Sequence, residues 1–195
     1  MIVGLTGKSC SGKNRAAELL DKDRFSVIDV DKLGHIALDA NIDKIRDEFG
    51  ADVISSDGHV DRKKLGPIVF ASPEKLEKLN AITHPWMVEE TLSQARGIED
   101  EGRIAVINAA ILEKMGFVEY CDEIVLILAD LSVRAERARL RDNIDEETFR
   151  KRAQAQKDIG ASLFSSGKKV ITIINNGPDD ALSRQIKNYC ASIKK

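Results

Sequence analysis

A short apolar run, Ile2-Val3-Gly4-Leu5-Thr6, passes directly into Gly7-Lys8-Ser9-Cys10-Ser11-Gly12-Lys13-Asn14. No other stretch of this 195-residue chain restricts its fold as strongly. The spacing G-x-x-x-x-G-K is that of a phosphate loop. Its glycines let successive backbone N–H groups converge on one anion, and its lysine adds a mobile cation for the β- and γ-phosphates. Ala16, Leu19 and Leu20 follow at helical spacing. The order is therefore strand, loop, helix, which places the positive end of a helix at the loop. Residues Gly7, Lys8, Ser9, Cys10, Ser11, Gly12, Lys13, Asn14 and Arg15 are the candidate nucleotide-binding set. The hydroxyl that usually closes such a loop and holds Mg²⁺ is replaced by Asn14, which becomes the one candidate metal ligand.

Five runs read as buried parallel strands: residues 2–6, 25–28, 104–107, 123–129 and 170–174. Each is short and rich in Val, Ile and Leu, with helical patterns between them. That alternation predicts an α/β fold with a parallel sheet flanked by helices. The second and third strands are too far apart for a single crossover helix. Helical patterns at 31–49, 61–81 and 84–101 fill the gap, with a turn at Asp57-Gly58. They predict a helical insertion at the carboxyl edge of the sheet. In this reading His84-Pro85 opens the last of these helices, with Thr83 or His84 as its cap.

Ligands of open α/β sheets bind beyond the carboxyl ends of the strands. The second strand ends in Val27-Ile28-Asp29-Val30-Asp31, so Asp29 and Asp31 stand at the same edge as the phosphate loop. Transfer of a phosphoryl group to an alcohol needs a carboxylate to orient the hydroxyl and take its proton, with cations over the moving group. Asp31 and Asp29 suit the first task, although Asp31 also suits an N-cap for a helix over 31–38. Lys13 suits the second, with Arg134, Arg137 and Arg141, which share one face of a helix after the fourth strand. The competing reading of that face is a solvated surface paired with Glu136 and Asp142. Asp145 then caps a second helix, 146–156, which is polar nearly throughout and reads as a lid weakly held to the core.

Composition limits the partners. The formal net charge is −2 with neither half strongly biased, which gives no case for nucleic acid. No apolar run approaches membrane-spanning length. The cysteines (Cys10, Cys121 and Cys190) are odd in number and far apart, as in a reducing compartment. A cytoplasmic location is expected, and nothing in the chemistry calls for an obligate protein partner.

The residues resemble the dephospho-coenzyme A kinase family over nearly the whole chain. The phosphate loop and the Val27–Asp31 segment, with His35 soon after, carry part of the likeness. The most specific stretch is Phe49-Gly50, Asp57-Gly58-His59-Val60-Asp61-Arg62-Lys63-Lys64-Leu65, then Ile68-Val69-Phe70, Pro73, Leu76, Leu79-Asn80-Ala81-Ile82 and His84-Pro85. Arg137, Arg141-Asp142, Arg152, Gln156 and Asn176-Gly177 fall where the family has its lid and adenine-side residues.

The resemblance implies transfer of the ATP γ-phosphoryl group to the ribose 3′-hydroxyl of dephospho-CoA, with Mg²⁺, as the last step of CoA synthesis. It implies Asp31 as general base, Lys13 as γ-phosphate ligand, Arg137 and Arg141 as lid cations, and Asn176 beside the nucleotide. Asp29, Asp31, Arg62 and His84 would meet the acceptor. The implied fold is a five-stranded sheet of order 2-3-1-4-5 in one phosphate-loop kinase domain. Its core would cover about 1–30, 103–140 and 168–195, its CoA-binding insertion about 31–102, and its lid about 141–167. Three segments differ from the family pattern. Asn14-Arg15 replaces Ser/Thr, Asn108-Ala109-Ala110 replaces D-x-P, and Ile174-Asn175-Asn176-Gly177 lacks the usual Ala-Asp opening. Two other readings stay open: a nucleotide-binding protein with little kinase activity, and a related kinase with another alcohol acceptor.

Overall fold

The computed structural model describes residues 1–193. In chain order the elements are β1 (Ile2–Gly7), α1 (Lys13–Glu18), β2 (Phe25–Asp29), α2 (Val30–Ala40), α3 (Ile42–Phe49), α4 (Arg62–Phe70) and α5 (Pro73–Asp100). They continue with β3 (Ile104–Asn108), β4 (Glu123–Leu128), α6 (Leu131–Asp142), α7 (Glu146–Ala155), β5 (Lys169–Ile174) and α8 (Asp179–Ser192). The strands form one parallel sheet in the order β2-β3-β1-β4-β5. The five expected strands are present, and so is the expected order. The central strands read as unbroken apolar runs because helices cover both of their faces. In β1 every residue after Ile2 is buried.

The chain leaves β1 for β2, returns to β3, then crosses to β4 and β5 on the other side. The carboxyl ends of β1, β3 and β4 are therefore neighbours, at the position where ligands of such sheets bind. In the sheet register Asp29 pairs with Asn108, and Asn108 pairs with Leu5. Two compact units divide the chain, one of residues 1–29 and from Gln94 onward, the other of Val30–Ser93.

The first unit is built on the sheet. Val3, Leu5, Val106, Val125 and Ile127 pack with Ala16 and Leu20 and with Leu182, Ile186 and Tyr189 of α8. One charge is buried with them. Glu123 accepts from the Tyr189 hydroxyl at 2.8 Å and from Lys169 Nζ at 2.7 Å. A desolvated carboxylate is tolerable only when paired in this way. Burial and the neighbouring Glu123 push the Tyr189 phenol well above its ordinary range.

The second unit has its own core of Ile45, Val53, Val60, Leu65 and Val69. Asp61 caps α4 by accepting from the Lys63 and Lys64 amides at 3.0 and 3.3 Å. The Asp57-Gly58 turn is present, with Gly58 at a φ of 86°. Asp39 holds the turn's exit through the Val60 amide at 2.9 Å and the His59 ring at 3.1 Å.

Two helix boundaries correct the sequence reading. The 31–49 pattern is two helices, parted at Asn41, whose side chain turns back to the Ala37 carbonyl at 2.9 Å. The break expected at Thr83-His84 lies instead at Ala71-Ser72, and α5 runs through Pro85. Pro73 opens α5 where its missing N–H costs nothing, with the Ser72 hydroxyl bonded to the Lys75 amide at 3.4 Å. Thr83 sends its hydroxyl to the Leu79 carbonyl at 2.9 Å, so neither Thr83 nor His84 is a cap. Asp31 likewise sits inside the first turn of α2 rather than ahead of it. A carboxylate there still favours the helix dipole. Among the described residues no helix is long and apolar enough to cross a membrane.

Candidate active site

The phosphate loop is held in an unusual backbone path. Gly12 has a φ of 97°, and a Cβ there would lie 2.2 Å from Nδ2 of Asn175. Gly7 is needed for space instead, since a Cβ would meet the Ile127 carbonyl at 2.6 Å. Cys10 takes a φ of 61° without being glycine, a conformation that persists only where the surroundings hold it. Those surroundings are visible. Cys10 packs with Ala138 and Phe149, and its carbonyl accepts from Arg137 at 3.4 Å. Asn175 donates to the Ser11 carbonyl at 2.8 Å and accepts from Arg137 at 3.4 Å.

Lys13 stands at the start of α1 and is only 8% exposed. Its ammonium donates to Asn108 Oδ1 at 2.7 Å, and Asn108 Nδ2 donates to Asn14 Oδ1 at 3.3 Å. The end of β3 thus ties the lysine to the residue after it. Arg15 is occupied elsewhere. Its fork grips Asp179 at 2.8 and 2.6 Å and reaches Glu18 at 3.0 Å. The bidentate carboxylate raises the Arg15 pKa and lowers that of Asp179. Arg15 is therefore not directed at the loop's centre.

Of the three arginines on one face of α6, Arg134 and Arg137 turn to the loop. Arg134 is 5% exposed, donates to the Ser9 carbonyl at 2.8 Å and lies 5.7 Å from the centre of the Phe149 ring. Among the described residues its Nη2 has no hydrogen-bond partner, and burial lowers its pKa. Arg141 lies further along and is exposed, with its fork on Asp142 at 2.7 and 3.0 Å. Arg152 of α7 reaches the same carboxylate at 2.7 Å. These two guanidinium groups bring the Asp142 pKa down to about 2, and the Asp142 carboxylate in turn raises the pKa of Arg141. Arg139 meets Glu136, at 3.5 Å.

The segment after α7 also lies on the loop. Gln156 Oε1 accepts from the Ser9 amide at 2.7 Å, and Lys8 Nζ donates to the Lys157 carbonyl at 2.8 Å. Glu113, beyond β3, accepts from the amides of Gly160 and Ser162 at 2.6 and 3.1 Å. Asn176 accepts from the Asp130 amide at 2.8 Å, joining the ends of β4 and β5. Asn108 and Asn175 were missing from the candidate set drawn from sequence, because their loop partners lie 95 and 164 residues away.

The dephospho-CoA kinase family model matches residues 1–177. The chain belongs to the dephospho-CoA kinase family. A dephospho-CoA kinase of Fusobacterium nucleatum is 31% identical over 198 residues, covering 99% of this chain and 98% of that one. Two solved structures share the fold. A Thermus thermophilus protein superposes with a TM-score of 0.81 at 24% identity over 100% of this chain and 98% of that one. The dephospho-CoA kinase of Campylobacter jejuni gives 0.73 at 23% identity over 97% and 95%. As a family member the enzyme is a kinase with an alcohol acceptor, uses ATP as co-substrate and serves the last step of CoA synthesis.

The second unit holds a cavity of about 440 Å³ lined by His35, Leu38, Arg62, Lys63, Leu65, Gly66, Val69, Phe70 and Leu79. Arg62 borders it. His84 is not among its lining residues. It is half-buried on α5, and burial lowers its pKa, which keeps the ring neutral near pH 7. Asp29 and Asp31 lie at and just beyond the end of β2, and both have interaction partners.

Proposed function

We propose that the phosphate loop binds ATP and that Asp31 accepts the proton of the ribose 3′-hydroxyl of dephospho-CoA. The freed oxygen attacks the γ-phosphorus, the bond to the β-phosphate oxygen breaks, and ADP leaves with the electron pair. The observation that carries this reading is the buried Lys13 ammonium at the carboxyl edge of β1, with the Asp29–Asp31 segment at the end of β2. Lys13 and the loop amides meet the β- and γ-phosphates. Arg137 and Arg141 cover the moving group as its charge spreads, and Arg141 exchanges Asp142 for phosphate as the lid over about 141–167 closes. Lys8, Ser9, Cys10, Ser11, Gly12 and Asn14 line the nucleotide, and Asn176 stands beside it. Arg15 braces α1 against Asp179.

In this reading the helical insertion receives dephospho-CoA. The apolar walls around Leu38, Val69 and Phe70 suit the pantetheine arm, and the cationic Arg62 and Lys63 suit its pyrophosphate. ATP arrives with Mg²⁺ held by its own phosphate oxygens and water. Three free, buried cysteines accord with a cytoplasmic setting. The test is Asp31→Asn. We expect kcat to fall at least about a hundredfold while ATP affinity in calorimetry barely moves. A nearly unchanged rate would leave Asp31 as a first-turn helix residue only.

A further inference from the structure

The polarity of the chain Lys13–Asn108–Asn14 is forced from one end. An ammonium only donates, so the Asn108 atom 2.7 Å from Lys13 Nζ is its carbonyl oxygen. The other arm of that carboxamide is then its NH₂ group, and the Asn14 atom 3.3 Å away must accept. Asn14 thus has its oxygen held toward the buried Asn108, and its own NH₂ is the donor it can present. Asn108 is 2% exposed, so no water is at hand to satisfy it in a flipped orientation. Asn14 is exposed at the mouth of the loop.

From this we infer that Asn108 is a positioning residue that makes Asn14 a hydrogen-bond donor to a nucleotide phosphate oxygen rather than a ligand of a metal. A divalent cation such as Mg²⁺ needs oxygen donors. At position 14 the oxygen accepts from the buried Asn108 carboxamide and is held on that side. Held this way, Asn14 does not fit the role of a metal ligand. In this inference the donor role takes the place of the Mg²⁺-ligand role expected of Asn14. The consequence is a loop that recognises the phosphates of metal-free and metal-loaded ATP with the same contact.

The inference rests on the loop being the nucleotide site, and the test separates the two. ATP binding is measured by calorimetry with EDTA and with excess Mg²⁺. Asn14→Ala, at an exposed position, should weaken metal-free and metal-loaded ATP by the same factor, about tenfold for one bond to a charged acceptor. Unchanged metal-free affinity, with a loss confined to the Mg²⁺ arm, would overturn the inference. Asn108→Asp supplies only acceptors, so Asn14 must turn its NH₂ inward and its oxygen outward. Metal-free binding should fall, and the gain on adding Mg²⁺ should grow. In the Asn14→Ala background the same change should cost at least about threefold less, because part of its effect passes through Asn14. Additive losses would mean that Asn108 acts on Lys13 alone, which also overturns it. Lys13→Ala is the control. If it leaves ATP affinity unchanged, the loop is not the nucleotide site and both readings fall. If it weakens ATP while Asn14→Ala does not, only the inference falls.

Discussion

Two residues apart on α6, Arg137 and Arg139 meet different surroundings. Arg137 spans the Cys10 carbonyl and the Asn175 side chain, while Arg139 faces solvent and Glu136. An ammonium cannot reproduce a fork that touches two partners at once. We therefore expect Arg137→Lys and Arg141→Lys to lower kcat/KM for ATP at least about tenfold, with Arg139→Gln within about twofold of wild type. Steady-state rates on the three variants decide it, and equal sensitivity at all three positions would contradict the assignment. The loop itself was legible in sequence because its spacing is local. Its supports were not. Asn108, Asn175 and Gln156 reach it from 95, 164 and 147 residues away, and no periodicity in a single sequence marks such pairs.

At the scale of elements, α7 qualifies the sequence reading of a nearly apolar-free lid. Its one large apolar residue, Phe149, is 2% exposed and packs with Cys10 and Ala138. A single anchor of this kind holds a helix without fixing it firmly. Phe149→Ala should cost about 3–5 kcal/mol of local stability. In hydrogen exchange, the α7 amides should speed up while those of the sheet stay protected. Loss of protection throughout the sheet would show that α7 is part of the global core.

The α6–α7 junction has an electrostatic part as well. Arg141 and Arg152 lower the Asp142 pKa from the ordinary 3.8 to about 2. A carboxylate with a lowered folded pKa stabilises the fold above its unfolded pKa, and that contribution is lost as pH falls from about 4 toward 2. Urea midpoints should thus drop more steeply over this window in wild type than in Asp142→Asn. Parallel profiles would mean that the bridge contributes nothing. The sheet was the most readable element, since buried parallel strands declare themselves as Val, Ile and Leu runs. The helix break at Ser72 was missed because two signals compete. Pro85 marks a boundary by rule, yet Ser72-Pro73 supplies a cheaper start, and α5 tolerates the loss of one N–H.

For the whole molecule, each unit brings a distinct capability. The sheet unit carries the phosphate loop with its arginines, and the helical unit carries a cavity with apolar walls and two cations at its border. Family membership was readable because the insertion motifs from Phe49 to Pro85 are specific. The cavity of the helical unit was not readable, because its lining comes from α2, α4 and α5 together. The most direct test is ADP release by the wild-type enzyme with ATP and one acceptor at a time: dephospho-CoA, shikimate, nucleoside monophosphates or none. The product of the dephospho-CoA reaction is identified by mass and by the phosphorus resonance of its 3′-phosphate. ADP formation that depends on dephospho-CoA and yields CoA in equal amount is the predicted result. ADP release indifferent to the acceptor, or turnover only with another alcohol, would contradict it.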